Sequence, residues 1–257
     1  MSFSKKDLIV SLACIVFILA TLGSIGSTGR RRAKEALCLS NLRRWGNVFL
    51  AFAEDNDGYF MAGRHPDSSK SNNWWRALEP YYGDRNLLRC PEGNNEYLKA
   101  WTGGGNHGVW GPQWFPPGPP EGDGPWWGSY GINEWVCNPP ADPGVYRPEK
   151  YWRTPNVAGA ETIPLLLDSW WDQGWAEYHD TIPSFPGQWE GIGMDDMGHF
   201  CIIRHYGAIN GVFLDGSAHR IELKCLWSLN WHRGYPVDAD EPEWPQWIQE
   251  LPECNLQ

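Results

Sequence analysis

One segment limits the fold more than any other: an apolar run that passes without a break into an amphipathic helix. Leu8 to Gly26 is apolar, interrupted only by Ser11, Thr21, Gly23 and Ser24. Its length approaches the roughly 20 residues that a membrane-spanning helix needs. It exceeds the ~7–15-residue apolar core of a secretory signal peptide. A retained anchor is therefore expected rather than a cleaved leader. From Arg30 to Asp57 there is no proline and one internal glycine, Gly46. Cys38, Leu42, Trp45, Phe49 and Phe52 recur at alternating spacings of four and three, which is one stripe of an amphipathic helix. Arg43, Arg44 and Asn47 occupy the other side. Asp57-Gly58 supplies a stop, since glycine enters the left-handed conformation freely. The two halves predict one helix from about Ser4 to Asp57, on the order of 80 Å long at 1.5 Å per residue.

Downstream the pattern changes to short strands and loops. Residues 103–125 carry Gly103 to Gly105 and then Pro112, Pro116, Pro117, Pro119, Pro120 and Pro125, a run unsuited to helix or central strand. Thr162 to Leu167 and Phe200 to Arg204 are strand candidates. Ile209 to Leu214, Asp215-Gly216 and Ser217 to Leu223 read as a β-hairpin with a two-residue turn in which both positions take positive φ. The expected fold class is α+β. A membrane anchor helix over 1–29 continues as an amphipathic helix over 30–58. That half packs on a small antiparallel sheet in a globular domain, 59–257, with long loops rich in Gly, Pro and Trp.

The formal charge of −10 argues against nucleic acid as a partner. Seven cysteines, at 14, 38, 90, 137, 201, 225 and 254, include no Cys-x-x-Cys pair and give no zinc-ribbon or thioredoxin spacing. Wide spacing in a loop-rich chain favours disulfides. Cys14 lies inside the apolar run and stands apart. Cys38 shares the buried stripe, and Cys90 precedes Pro91 at the end of the segment after the helix, so a Cys38–Cys90 bridge is predicted. Cys137, Cys201, Cys225 and Cys254 allow three pairings. Cys225 with Cys254 is preferred because both lie in the tail.

Several short motifs occur in a fixed order. They are Phe3-Ser4-Lys5-Lys6-Asp7, Cys38-Leu39-Ser40-Asn41-Leu42-Arg43-Arg44-Trp45-Gly46 and Asp55-Asn56-Asp57-Gly58-Tyr59. Trp75 to Tyr82, Cys90-Pro91, Tyr130-Gly131-Ile132-Asn133, Glu161 to Ser169, and His205 with Asp215-Gly216 follow. Together these resemble the type IV pilin-like and type II secretion pseudopilin-like proteins of planctomycete-type bacteria. Those carry Cys-x-x-Asn-Leu, Cys-Pro, Asp-Ser and a C-terminal His-x9-Asp-Gly. The chain departs from that pattern in having Ser2 where the family has Gly before the cleavage site, Lys5 and Lys6 at apolar positions, and Asp7 where Glu is usual.

The resemblance implies processing or assembly roles for Ser2, Phe3 and Asp7. Ser2-Phe3 would be the site of a prepilin peptidase. Asp7 would pair with the N-terminal amine of a neighbouring subunit, since an unpartnered acid in a bilayer costs roughly 2.5–3.5 kcal/mol; a place among the headgroups beside Lys5 and Lys6 is the other reading. His205 and Asp215 offer an imidazole and a carboxylate but no nucleophile or third ligand at motif spacing. Asp215-Gly216 reads as a turn and His205 as a structural residue, and no enzymatic activity is expected. Asp195-Asp196 offer the oxygens calcium takes, although a solvated turn is the preferred reading. No other cofactor is implied.

The expected function is that of a structural pilin-like subunit of a pseudopilus or type IV pilus-like filament. Its partners would be further pilin-like subunits and inner-membrane lipid, with the globular domain periplasmic or at the cell surface. The bias of basic residues, Lys5 and Lys6 before the anchor against Arg30, Arg31, Arg32 and Lys34 after it, points the other way; the resemblance and the cysteines outweigh it. The alternative is a monomeric tethered module that binds glycan or protein through exposed tryptophans, of which the chain has 18 in all.

Overall fold

The computed structural model describes residues 5–64, 72–93, 108–111, 126–188 and 196–255. Side chains at some positions of the first helix lie outside this description. Helix α1 spans Lys5–Asp55, close to the expected limits. It ends where Asp57 and Gly58 take positive φ (55° and 81°) and the Gly58 N–H donates back to Ala53 O at 2.8 Å. The stripe falls as predicted: Cys38, Leu42, Trp45 and Phe49 are fully buried, and Phe52 is half-buried. Burying a Leu or Phe side chain of this kind is worth about 1.5–3 kcal/mol.

The stripe docks on a five-stranded sheet. Its strands are β1 (Tyr130–Asn133), β2 (Pro164–Asp168), β3 (Gln173–Gly174), β4 (Ala208–Phe213) and β5 (Ala218–Glu222), in the order β3-β1-β2-β4-β5. Helix α1 lies mainly against β4 and β5 and also touches β2. The approach is close at Gly46: a Cβ there would stand 3.1 Å from both Gly216 Cα and Val212 Cγ2. Glycine at this position lets helix and hairpin meet backbone to side chain. Two short helices, α2 (Trp74–Ala77) and α3 (Glu79–Tyr82), cover the other flank, and Trp45 Nε1 donates to Leu87 O at 2.9 Å beside them.

Three details correct the sequence reading. The sheet is mixed, not purely antiparallel: β3 pairs parallel with β1, Ile132 opposite Gln173. After β2 the chain arches through residues 169–172 across β1, so it returns antiparallel to β2 and hence parallel to β1. Gly131 makes room, since a Cβ there would meet Trp171 O at 2.6 Å. Phe200 to Arg204 is not a strand; the N–H groups of Cys201 and Ile202 turn inward to Met197 O and Phe200 O. In the β4–β5 hairpin only Gly216 has positive φ, and the loop holds three residues, with the Phe213 N–H reaching Ser217 O at 2.9 Å. This is a turn closed by a left-handed glycine rather than a two-residue primed turn. Asp215 still serves the turn, its Oδ1 accepting from Ser217 N and Oγ.

The expected single-pass anchor in the inner membrane is also corrected. Among the described residues no helix is long and apolar enough to cross a membrane. In the first part of α1 the described side chains of Val10, Leu12, Cys14, Ile15 and Phe17 are all exposed.

Cys225 and Cys254 are bonded, with 4.8 Å between their α-carbons, and tie α4 (Gln246–Gln249) and the tail to the body. Closure of the 29-residue separation restricts the unfolded chain. A Cys225→Ala/Cys254→Ala variant should lose about 3 kcal/mol, read from denaturant midpoints. Gly46→Val should lose about 1–3 kcal/mol in the same assay by wedging α1 off the hairpin. A Gly46→Val protein of unchanged stability would show that the helix–sheet approach is loose.

Candidate metal centre

The four motifs that carry Cys38, Cys90, Asp168 and His205 are far apart in sequence, and the fold brings them to one point. Cys38 comes from the buried stripe of α1. Cys90 follows a short 3-10 helix (Arg85–Leu88), and its N–H donates to Ser129 Oγ at 2.6 Å. Asp168 ends β2. His205 opens a tight turn into β4, in which Tyr206 and Gly207 both take positive φ (47° and 84°). Its backbone exchanges bonds with Ala208, N to O at 2.8 Å and O from N at 3.1 Å. Two left-handed residues in a row define a primed turn, and this one fixes the imidazole toward the interior.

The four side chains are almost wholly buried and their ligand atoms all lie within 4.8 Å of one another. His205 Nε2 is 3.2 Å from Asp168 Oδ2 and 3.3 Å from Cys90 Sγ. Cys38 Sγ is 3.6 Å from Asp168 Oδ2 and 3.7 Å from Oδ1. The Tyr130 hydroxyl donates to Cys38 Sγ at 3.4 Å. The Asn210 N–H donates to Asp168 Oδ2 at 2.9 Å, and Arg204 Nη1 reaches Oδ1 at 3.3 Å. Arg204 is itself buried and donates to the carbonyls of Gly108, Ser129 and Ser169.

The local electrostatics follow. Burial would raise the Asp168 carboxyl, but His205, Arg204 and the Asn210 N–H overcome it and hold it at about 2. Burial would lower His205, but Asp168 draws it up to about 10. Burial pushes the Cys90 thiol up, with Cys38 and Asp168 adding to it.

The predicted Cys38–Cys90 bridge is not formed, and both residues are free thiols. Each sulfur is instead engaged by the imidazole or the carboxylate at the same point. His205 and Asp215 do not meet: His205 joins the cluster and Asp215 stays in its turn. Ser2, Phe3 and Asp195 lie outside the described residues. Asp7 is helical, and its side chain is not described. Asp196 accepts from Trp175 N at 2.8 Å and faces His199 at 3.9 Å. Among the described residues it is not part of any converging group of metal ligands. Asp168, Tyr130 and Arg204 were not singled out from the sequence. The signal was present, because each of the four clustered residues sits in one of the separate motifs behind the pilin-like resemblance.

The order of contacts limits the chemistry. A cysteine–histidine–carboxylate relay uses both ring nitrogens, one for the nucleophile and one for the orienting acid. Here Cys90 and Asp168 both address Nε2, so the relay order is not assembled. Comparison with protein-family models, curated proteins and solved structures gives no match.

A second buried network clamps the loops. Glu177 accepts from Lys150 Nζ at 2.6 Å and Arg147 Nη1 at 2.9 Å, and His232 Nε2 lies 2.9 Å from its other oxygen. Burial would raise this carboxyl, but His232 and Lys150 hold it at about 2, below its ordinary 4.5. A carboxyl depressed on folding adds stability that is complete above its unfolded value and lost as pH falls through the folded one. Glu177→Gln should therefore be less stable than the unsubstituted protein near neutral pH. The gap should narrow as pH drops from 4.5 to about 2, followed by denaturant midpoints at stepped pH. A pH-independent gap would show that packing, not charge, is what Glu177 supplies.

Proposed function

We propose that the protein is a pilin-like structural subunit that assembles with copies of itself through the first half of α1. The observation that carries this reading is the exposed apolar surface of that half. Val10, Leu12, Ile15 and Phe17 are 61%, 62%, 54% and 70% exposed. At about 100° per residue, Val10 and Phe17 share one side of the helix and Leu12 and Ile15 the opposite side. A helix apolar on opposed sides is stable only when enclosed on both. A bundle of equivalent helices encloses it, each copy offering the same surface, as head-to-tail assembly into a filament provides. The ordered motifs from Phe3 to Gly216 and the docking of the amphipathic half on a small sheet support the same reading.

The described tryptophans give little to the alternative of a Trp-lined binding face. Each is buried or half-buried, and most of the buried ones donate their indole N–H to a backbone carbonyl.

The test is photocrosslinking of the full chain in its producing cells. A benzoylphenylalanine replacing Phe17 or Leu12 should yield a ladder of covalent multimers of this chain, and one replacing the exposed Asp238 should not. The double variant Leu12→Asp/Ile15→Asp should lose the ladder while its thermal midpoint stays unchanged, because these side chains lie outside the core. Absence of multimers, or crosslinks only to other proteins, would overturn the proposal.

A further inference from the structure

We propose that Cys38, Cys90, Asp168 and His205 form a tetrahedral site for a thiophilic divalent metal, zinc in preference to calcium or magnesium. The proposal concerns the folded monomer and does not depend on filament assembly.

The donor set comes first. Two sulfurs, one imidazole nitrogen and one carboxylate oxygen make a four-ligand shell of the kind zinc takes. Thiolate and imidazole select against the hard, oxygen-seeking cations. The spacing comes next. Zinc bonds of about 2.3 Å to sulfur and 2.0–2.2 Å to nitrogen and oxygen give tetrahedral edges of about 3.6 Å for S···N and S···O, and about 3.4 Å for N···O. The corresponding separations are 3.3 Å for Cys90 Sγ to His205 Nε2, 3.6 Å for Cys38 Sγ to Asp168 Oδ2, and 3.2 Å for His205 Nε2 to Asp168 Oδ2.

A hydrogen-bonded cluster without metal uses these groups poorly. One Nε2 proton cannot serve a thiol and a carboxylate fully at once, and the Cys38 thiol has the same carboxylate as its neighbour. A central cation satisfies all four ligands. The surrounding donors are also placed as an outer shell. The Tyr130 hydroxyl points at Cys38 Sγ, where a thiolate is the stronger acceptor. The Asn210 N–H and Arg204 orient the carboxylate. A divalent ion with two thiolates and one carboxylate carries one net negative charge, which the buried Arg204 guanidinium balances. The shell is closed, with all four ligand residues buried. That suits a structural ion rather than one that holds a reacting water. Its effect would be to join α1, the segment after α3, β2 and the turn before β4.

The test is cobalt(II) titration of the reduced, chelator-stripped full chain. Cobalt(II) chloride should produce tetrahedral ligand-field absorption together with a thiolate-to-cobalt charge-transfer band. Both should saturate at about one equivalent, as a four-ligand site requires, and zinc(II) should displace them. X-ray absorption of the zinc form should show two sulfur and two nitrogen or oxygen neighbours. Cys90→Ala and His205→Ala should weaken cobalt binding by about 100-fold or more, while Cys201→Ala, a lone buried thiol elsewhere, should leave it intact. The unsubstituted protein decides the matter even if a variant fails to fold. Absence of the charge-transfer band with the thiols reduced would overturn the proposal. So would isolation of the native protein with Cys38 and Cys90 joined as a disulfide.

Discussion

One buried carboxylate, that of Asp168, is the point on which the tertiary structure turns. It closes β2, accepts the Asn210 N–H of β4, pairs with Arg204 and His205, and stands against Cys38 of α1. A fully buried charge is costly unless its partners and hydrogen bonds are complete. Four separate segments must therefore arrive together for any one of them to be well placed. Removal of a single partner from such an arrangement leaves an uncompensated charge and costs about 3–5 kcal/mol. The cluster thus selects one docking of helix on sheet from the many that an apolar stripe alone would accept.

Away from that centre the described residues have little regular structure, and indole groups do part of its work. Trp74 Nε1 donates to Asp172 O, Trp110 to Tyr130 O, Trp135 to Ala176 O, Trp152 to Trp231 O, Trp170 to Gly198 O and Trp231 to Leu226 O. Each ring fills core volume while its one donor is satisfied by a backbone carbonyl. A chain with 18 tryptophans and 21 prolines can in this way bury a core around the five short strands of its described residues. Most of the described tryptophans serve this purpose, which is why few remain for an external ligand.

What the sequence made legible follows the range of the interactions concerned. The stripe Cys38, Leu42, Trp45, Phe49 is a local periodicity, and its buried face could be read directly, with the helix end expected at Asp57 and found two residues earlier at Asp55. The β4–β5 hairpin was local as well, although Asp-Gly was assigned the wrong turn because loop length depends on strand register. The Cys225–Cys254 pair was short-range. Convergence of Cys38, Cys90, Asp168 and His205 spans up to 167 positions in the chain and has no periodicity. Only the assembled sheet shows that a stripe cysteine, a Cys-Pro, the last residue of a strand and the first of a primed turn share one point. The same limit hid the parallel strand β3, which depends on how the chain crosses β1 after Asp168. It also made Phe200 to Arg204 look like a strand, since its apolar residues are buried by neighbours rather than by pairing.

The cluster's position along α1 bears on how the helix could work. Cys38 is the first fully buried residue of α1 among those described; the described side chains before it are exposed or half-exposed. It marks the place where the helix leaves the domain. Outside it lie the surface contacts Glu35 with Arg220 at 2.7 Å, Lys34 with Glu92 at 3.5 Å, and Arg31 over the Tyr206 ring at 4.8 Å. Partly solvent-screened contacts of this kind are individually weak. They cannot by themselves resist leverage from the roughly 30 preceding residues, a rod on the order of 45 Å long at 1.5 Å per residue. A force on that rod acts first at Cys38, and peeling of the helix would have to begin by exposing the Asp168 charge. The strongest and least divisible set of interactions thus sits where a projecting helix would otherwise start to detach. In the filament proposed above, a load carried by that helix would have to be met there and not at the far end of the stripe.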